Sequence, residues 1–329
     1  MLVNHKEFNN IKIHTQYSIC EGAIKIDELA DYCKLNKIKA IGLSDSYNLC
    51  GALEFAEKIS KVGTQPIIGT QINILHENLV GKITLYAISE KGYKNLTKLS
   101  SLSYLNNNTS YEPHCLLEDL IQNNEDLILL TGNYSNFFGK LFYGNKIKNL
   151  EKIVDKLKIY FQDRIYLEVQ RHSETQEKNF ENFLLKISST HDLPLIACQE
   201  VYYIDPKMAE AHDALICIGE KKFIEDPNRF RYSDQHYIKK SEELKKLYRD
   251  IPEALENNYN FPLRFRFKPK GSKPILPSIS TNKNTTIENE LMDQSKIGLI
   301  KRLNNFFFKK KNKSSHSEIK KIYEDRLNH

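Results

Sequence analysis

The chain alternates short apolar, β-branched runs with amphipathic stretches of helical period. Residues 11–14, 40–43, 66–74, 83–89, 127–131, 165–169 and 195–198 read as strands. Several are almost wholly apolar, as strands buried on both faces are. Between them, helical patterns span 26–35, 52–62, 93–105, 115–121, 150–161 and 177–191. In the first, Ile26, Leu29, Ala30 and Cys33 fall at i, i+3, i+4 and i+7 and make one face. Strands alternating with helices predict parallel βαβ units. Seven such strands predict an α/β fold, a distorted (β/α)7 barrel, with an open doubly wound sheet as the alternative.

After Cys198 the pattern is helical only, at 207–218, 241–248 and 252–258. Ser241 followed by Glu242 and Glu243 marks a helix start, with acids favoured near the N-terminal dipole. Residues 268–284 are rich in Pro, Gly, Ser, Lys and Asn and read as an extended linker. A helix is expected over 287–308, a polar break over 309–315 and a further helix over 317–327. The domain boundary is therefore placed between 267 and 268. No repeat recurs at a fixed period.

Composition changes this picture in one respect. The chain has 329 residues, 40% hydrophobic and 27% charged, with a net charge of +6. Residues 261–329 hold sixteen Lys and Arg against six Asp and Glu, or +10, so the rest carries −4. Such a tail can neutralise phosphates, with Arg264, Arg266, Lys301, Arg302, Lys309, Lys310 and Lys311 as the candidate contacts. Phe306, Phe307 and Phe308 beside those lysines could stack on bases. The competing reading is a solvated linker and an apolar helix face. No run of 18 apolar residues and no apolar stretch in the first ten residues argue against a membrane span or a secretory signal. The six cysteines include no CxxC pair, which fits a reducing, cytoplasmic setting.

In a parallel α/β barrel, chemistry sits at the C-terminal ends of the strands. The residues there are His14, Thr15 and Gln16; Ser44, Asp45 and Ser46; Gln71; Asn133; and Gln199, Glu200 and Tyr202. As metal ligands the region offers His14, Glu21, Glu200 and Asp45, one imidazole and three carboxylates, a thin set for hydrolytic metal chemistry. No GxSxG elbow, Walker A loop or GxGxxG after a strand is present. Cys198 ends a strand and reads as a small core hydrophobe.

These strand ends resemble the polymerase-and-histidinol-phosphatase (PHP) domain. More narrowly, the chain resembles the N-terminal part of bacterial DNA polymerase III α subunits. Ile13-His14-Thr15-Gln16-Tyr17-Ser18 with Glu21-Gly22 is similar to that family's first motif. Leu43-Ser44-Asp45-Ser46-Tyr47-Asn48-Leu49-Cys50-Gly51 is similar to the second and Pro66-Ile67-Ile68-Gly69 to the third. Gly92-Tyr93-Lys94-Asn95-Leu96, Ala211-His212-Asp213-Ala214-Leu215, Ser241-Glu242-Glu243-Leu244 and Asp250-Ile251-Pro252-Glu253-Ala254 follow in order.

The departures bear on chemistry. Metal-binding members have His-x-His in the first motif, where this chain has Lys12 and His14. They have Thr-Asp-His in the second, against Ser44-Asp45-Ser46. Gln71 stands for an acid, Lys82 for a His, Asn133 for a Cys, and Glu200-Val201-Tyr202 for Asp-x-His. The resemblance leaves only His14, Glu21 and Glu200 as ligands, with Asp45 nearby. Two ammonium groups, having no lone pair, stand where cations would sit. This implies a metal-free PHP domain serving as a scaffold that docks the proofreading exonuclease subunit. The implied parent activity is DNA-directed DNA synthesis with Mg²⁺ in a palm beyond residue 329, so no cofactor and no catalytic residue is expected within this fragment. DNA and other replicase subunits would be partners through the full polymerase, with no membrane. An active metal-dependent phosphoesterase or proofreading exonuclease, and a stand-alone interaction module, are the rivals. An ion-pair cluster of Lys12, Asp45, Glu21 and Glu200 is expected to replace the metal as the cross-link.

Overall fold

The computed structural model describes residues 6–105, 111–277, 285–307 and 316–328. They form two compact units, Met1–Gly271 and Ser272–His329. The strands are β1 (Lys12–Ile13), β2 (Ala40–Leu43), β3 (Gln65–His76), β4 (Leu79–Ala87), β5 (Cys115–Leu116), β6 (Leu127–Leu130), β7 (Ile165–Gln170), β8 (Leu195–Cys198) and β9 (Glu200–Val201). Around them lie α1 (Ile26–Asn36), α2 (Ala52–Lys61), α3 (Glu90–Leu105), α4 (Leu117–Gln122), α5 (Phe137–Tyr143), α6 (Ile147–Phe161), α7 (Glu177–His191), α8 (Ala209–Glu220), α9 (Ser241–Leu247) and α10 (Pro252–Asn260). The second unit carries α11 (Ile287–Arg302), which runs into a π turn over Leu303–Phe307, and α12 (His316–Asn328). Among the described residues, no helix is long and apolar enough to cross a membrane.

The strand order β8-β7-β6-β4-β3-β2-β1-β9 makes an eight-stranded, nearly closed barrel, with β5 added beside β3. The α/β barrel expected from the pattern is there, but two of its features differ. First, β3 and β4 form a long antiparallel hairpin, with His76 opposite Leu79, and β4 also runs antiparallel to β6. The two-residue turn places Glu77 at φ 54°. No glycine marks this turn, so nothing local announced it. Second, β5, β9 and α5 are additional. The two-residue β5 and β9 are too short for any periodicity. β9 matters most, because its pairing of Glu200 with Lys12 brings the end of the barrel sequence back to β1.

Alternation along the strands sorts residues between an inner core and two clusters packed under the helices. In β7, Ile165, Leu167 and Val169 pack outward under the helices with Leu157, Phe161 and Leu184, while Tyr166 joins the inner core. In β8, Leu195 and Ala197 face out, and Ile196 and Cys198 face in. The inner core is Ile11, Ala40, Ile67, Tyr86, Ile128, Leu130, Tyr166, Ile196 and Cys198, closed at one end by Phe261 and Phe265. Gly42 is required there: a Cβ would lie 2.0 Å from the Ile11 carbonyl oxygen. Asn258 of α10 stitches the chain start to β8, donating to the carbonyls of Asn9 (3.0 Å) and Ala197 (2.9 Å). Above the apolar inner core, the inward positions turn polar.

Candidate functional site at the barrel mouth

Three inward-facing charges make the first polar layer. Lys12 of β1 is fully buried, and its ammonium donates to both carboxylate oxygens of Glu168 on β7, at 3.0 and 3.2 Å. It also lies 3.6 Å from Glu200 of β9. Glu168 is held further by the Gly132 amide (3.0 Å) and the Gln170 side chain. Glu200 accepts from His14 Nε2 (3.0 Å), Gln71 Nε2 (2.6 Å) and Asn133 Nδ2 (3.3 Å). Burial alone would lower the Lys12 pKa, but the Glu168 and Glu200 carboxylates outweigh it and hold it above the ordinary lysine value. Burial alone would raise Glu200; Lys12 and His14 instead hold it well below the carboxylate range.

A second cluster lies nearer the opening. Lys82 of β4 donates to Glu21 at 2.7 Å and to Ser46 Oγ at 3.3 Å, and sits 4.9 Å above the Tyr47 ring. Ser46 donates to the other Glu21 oxygen. Burial opposes the charge of both groups, but the pairing wins: Glu21 is held below and Lys82 above its ordinary pKa. Gly22 next to Glu21 has no room for a side chain, since a Cβ would sit 2.1 Å from the Thr15 carbonyl oxygen.

Asp45 is a correction to the expected cluster. Among the described residues it forms no ion pair. Its carboxylate accepts from the Thr15 amide (2.6 Å), the Thr15 hydroxyl (2.7 Å) and the Ser18 hydroxyl (2.7 Å). It pins the loop after β1 rather than Lys12. Burial raises its pKa against those hydrogen bonds.

Aromatic groups wall the site. Tyr202 stacks on His14 at 4.5 Å and on His212 at 5.3 Å, and its hydroxyl accepts from Tyr232 at 3.2 Å. Behind Glu200, His172 and His236 stack at 4.0 Å. The Glu200 amide donates to His172 Nε2 (3.1 Å), and His236 Nδ1 donates to the Glu200 carbonyl (3.1 Å). Burial depresses both rings, His172 to about 3 and His236 well below the usual value.

The residues singled out from sequence thus converge: Lys12, His14, Glu21, Ser46, Gln71, Lys82, Asn133, Glu200 and Tyr202 surround one mouth, where a polar cavity of about 230 Å³ opens. Glu168, Gln170, Ser18, His172, Tyr232 and His236 were missed. Glu168 left a readable signal, being an acid inside the buried run Ile165-Tyr166-Leu167-Glu168-Val169. Among the described residues, no group of three or more His, Cys, Asp or Glu side chains is placed to hold a metal ion. Each carboxylate that could serve already faces an ammonium or a full set of donors, so the residues present do not fit a divalent ion.

Of the basic candidates, Arg264 is engaged within the first unit. It donates to Asp163 Oδ2 (2.7 Å) and the Tyr166 hydroxyl (2.8 Å). Arg266 is exposed, as are Lys301 and Arg302 at the end of α11. Lys309, Lys310 and Lys311 lie outside the described residues, as do Phe308 and the side chains of Phe306 and Phe307.

The chain is similar to the PHP domain family, whose model matches residues 10–172. Within it, the similarity is to the DNA polymerase III subunit alpha. The protein of that name from Caulobacter vibrioides is 34% identical over 304 residues, 90% of this chain and 27% of that protein. The Rickettsia bellii protein is 34% identical over 325 residues, covering 98% and 28%. The Vibrio cholerae protein is 31% identical over 305 residues, covering 92% and 26%. The chain spans about a quarter of the length of these relatives.

Proposed function

We propose that this chain is the PHP portion of a replicative DNA polymerase, free of metal at the barrel mouth and acting as a scaffold for a proofreading exonuclease subunit. The observation that carries the reading is the Lys12 ammonium, fully buried between Glu168 and Glu200. A cation fixed there repels a divalent ion and consumes the carboxylates one would need. Lys82 on Glu21 repeats the arrangement at the opening. Similarity to DNA polymerase III alpha subunits supports the setting in DNA replication. Nucleotidyl transfer needs carboxylates that hold two metals, and the mouth offers no such pair.

Elemental analysis of the dialysed chain is the test. Zinc, manganese and iron each well below one per chain are expected, together with no phosphodiester hydrolysis and no primer extension. One tightly held metal per chain with hydrolysis that a chelator abolishes would establish the phosphoesterase reading instead. Pull-down of the purified exonuclease subunit tests the scaffold role.

A further inference from the structure

Away from the mouth, a lysine is buried without a counter-ion. Lys239, just before α9, is 3% exposed. Its ammonium donates to the Gln235 carbonyl and lies 4.2 Å above the Tyr237 ring. Among the described residues it forms no ion pair, although Glu243, Asp234 and Glu177 act on it from further off. An ammonium has three N–H donors, and among the described residues two of them have no hydrogen-bond acceptor. Burial lowers its pKa to about 8, because the distant carboxylates offset only part of the cost of the charge.

This lysine lines a cavity of about 520 Å³ that shares no residue with the mouth. Lys246 and Arg249 line it too, both exposed and without an ion pair among the described residues. The acids at its rim are occupied. Asp250 accepts from Arg171 at 2.7 and 2.8 Å, and Glu243 accepts from the Tyr237 hydroxyl at 2.8 Å. Four cations (Arg171, Lys239, Lys246, Arg249) against two acids (Glu243, Asp250) leave the lining at +2.

We propose that this cavity binds a phosphate group, with Lys239 as its buried anchor and Lys246 and Arg249 as outer contacts. A phosphate carries up to two charges and several acceptor oxygens. It can take both free Lys239 donors while meeting the two outer cations, which a single carboxylate cannot. A neutral ligand would leave the buried charge uncompensated. The phosphate can belong to a small molecule or to a nucleic-acid strand; the contacts to it are the same.

The whole chain is titrated at constant ionic strength with inorganic phosphate, with dAMP and with a single-stranded oligonucleotide, followed by thermal melts and ³¹P NMR. Saturable binding is expected, weakened about tenfold or more by Lys239→Met. The paired change Lys246→Gln with Arg249→Gln should weaken it several-fold while leaving the melting temperature in ligand-free buffer unchanged. Because both sites are exposed, this pair decides the matter if Lys239→Met fails to fold. Saturation by phosphate and dAMP identifies a small-molecule site. Saturation by the oligonucleotide alone, lost in the same variants, identifies a strand-backbone site. The proposal is overturned if none of the three probes saturates, or if binding survives in both variants.

Discussion

Lys12 shows what one residue does to this barrel. It reaches across to Glu168, 156 positions away in the chain. Taking two ions out of water costs several kcal/mol each, and good geometry with extra donors offsets that. Removing one partner is therefore severe. Lys12→Met is expected to destabilise the chain by roughly 3–5 kcal/mol, because Glu168 loses its counter-ion in the interior. Adding Glu168→Gln should restore part of the loss; urea melts of the single and double variants measure it. If the double variant is no more stable than the single, the pair is not what Lys12 contributes.

Asp45 acts through hydrogen bonds instead. Asp45→Ala removes an acceptor of three donors and should cost on the order of 3 kcal/mol and, on the proposed scaffold reading, weaken exonuclease binding as the loop after β1 loosens. The exposed Glu57→Ala should change stability by no more than about 0.5 kcal/mol. Equal melting temperatures for the two would show that the pinned loop adds nothing.

At the scale of elements, the mouth is a joint between β1, β4, β7 and β9, and its charges couple those strands to pH. His172 and His236 stay neutral in the folded chain but take up protons near 6.5 when unfolded. The unfolded state then binds more protons, so stability present above about 6.5 is lost as pH falls. Glu200 has the same sign: its depressed pKa stabilises above the ordinary 4.5 and that contribution fades below it. Melting temperature should therefore fall steadily from pH 7 to pH 4, and less steeply in His236→Gln. A flat profile over that range would contradict the buried neutral pair.

The same joint governs any return of a metal. The combined change Lys12→His, Ser46→His and Tyr202→His leaves Lys82 on Glu21 and a cation at the opening. The triple variant should bind zinc weakly, and adding Lys82→His should raise affinity well beyond it, since coordination needs several ligands at once. Calorimetric zinc titrations of the triple and quadruple variants compare them; equal affinities would mean that Lys82 does not block the site.

At the scale of the whole molecule, charge divides unevenly. Residues 272–329 carry twelve Lys and Arg against six Asp and Glu, or +6. Arg264, Arg266, Lys268 and Lys270 belong to the first unit, and Arg264 is already paired. DNA binding, weak and without sequence preference, should come mainly from the second unit and fall steeply with salt. Fluorescence anisotropy at several salt concentrations should show a linear log–log decline, nearly abolished by truncation after Gly271. Affinity that is flat in salt would remove the basic tail as its source.

What the chain's pattern by itself determined was most of what depends on near neighbours, the short helix α5 excepted. Apolar runs such as Ala40–Leu43 and Leu195–Cys198 matched their strands residue for residue, and α7 kept its limits, because these elements bury faces that their own periodicity declares. His14, Ser46, Asn133, Glu200 and Tyr202 were legible as strand ends for the same reason, whereas Lys12 and Lys82 stood out only through the family resemblance. Pairing across the barrel was not. The expected cluster joined Lys12 with Asp45, Glu21 and Glu200; Glu200 lies 3.6 Å from Lys12, but Glu168 takes its hydrogen bonds, because closure of the sheet sets the inward face of β7 opposite β1. Likewise the β3–β4 hairpin and the strand β9 rest on long-range hydrogen bonds that leave no period in the sequence. Tertiary structure decided which charges meet, since burial makes every uncompensated ion costly and only the closed barrel brings the compensating one within reach.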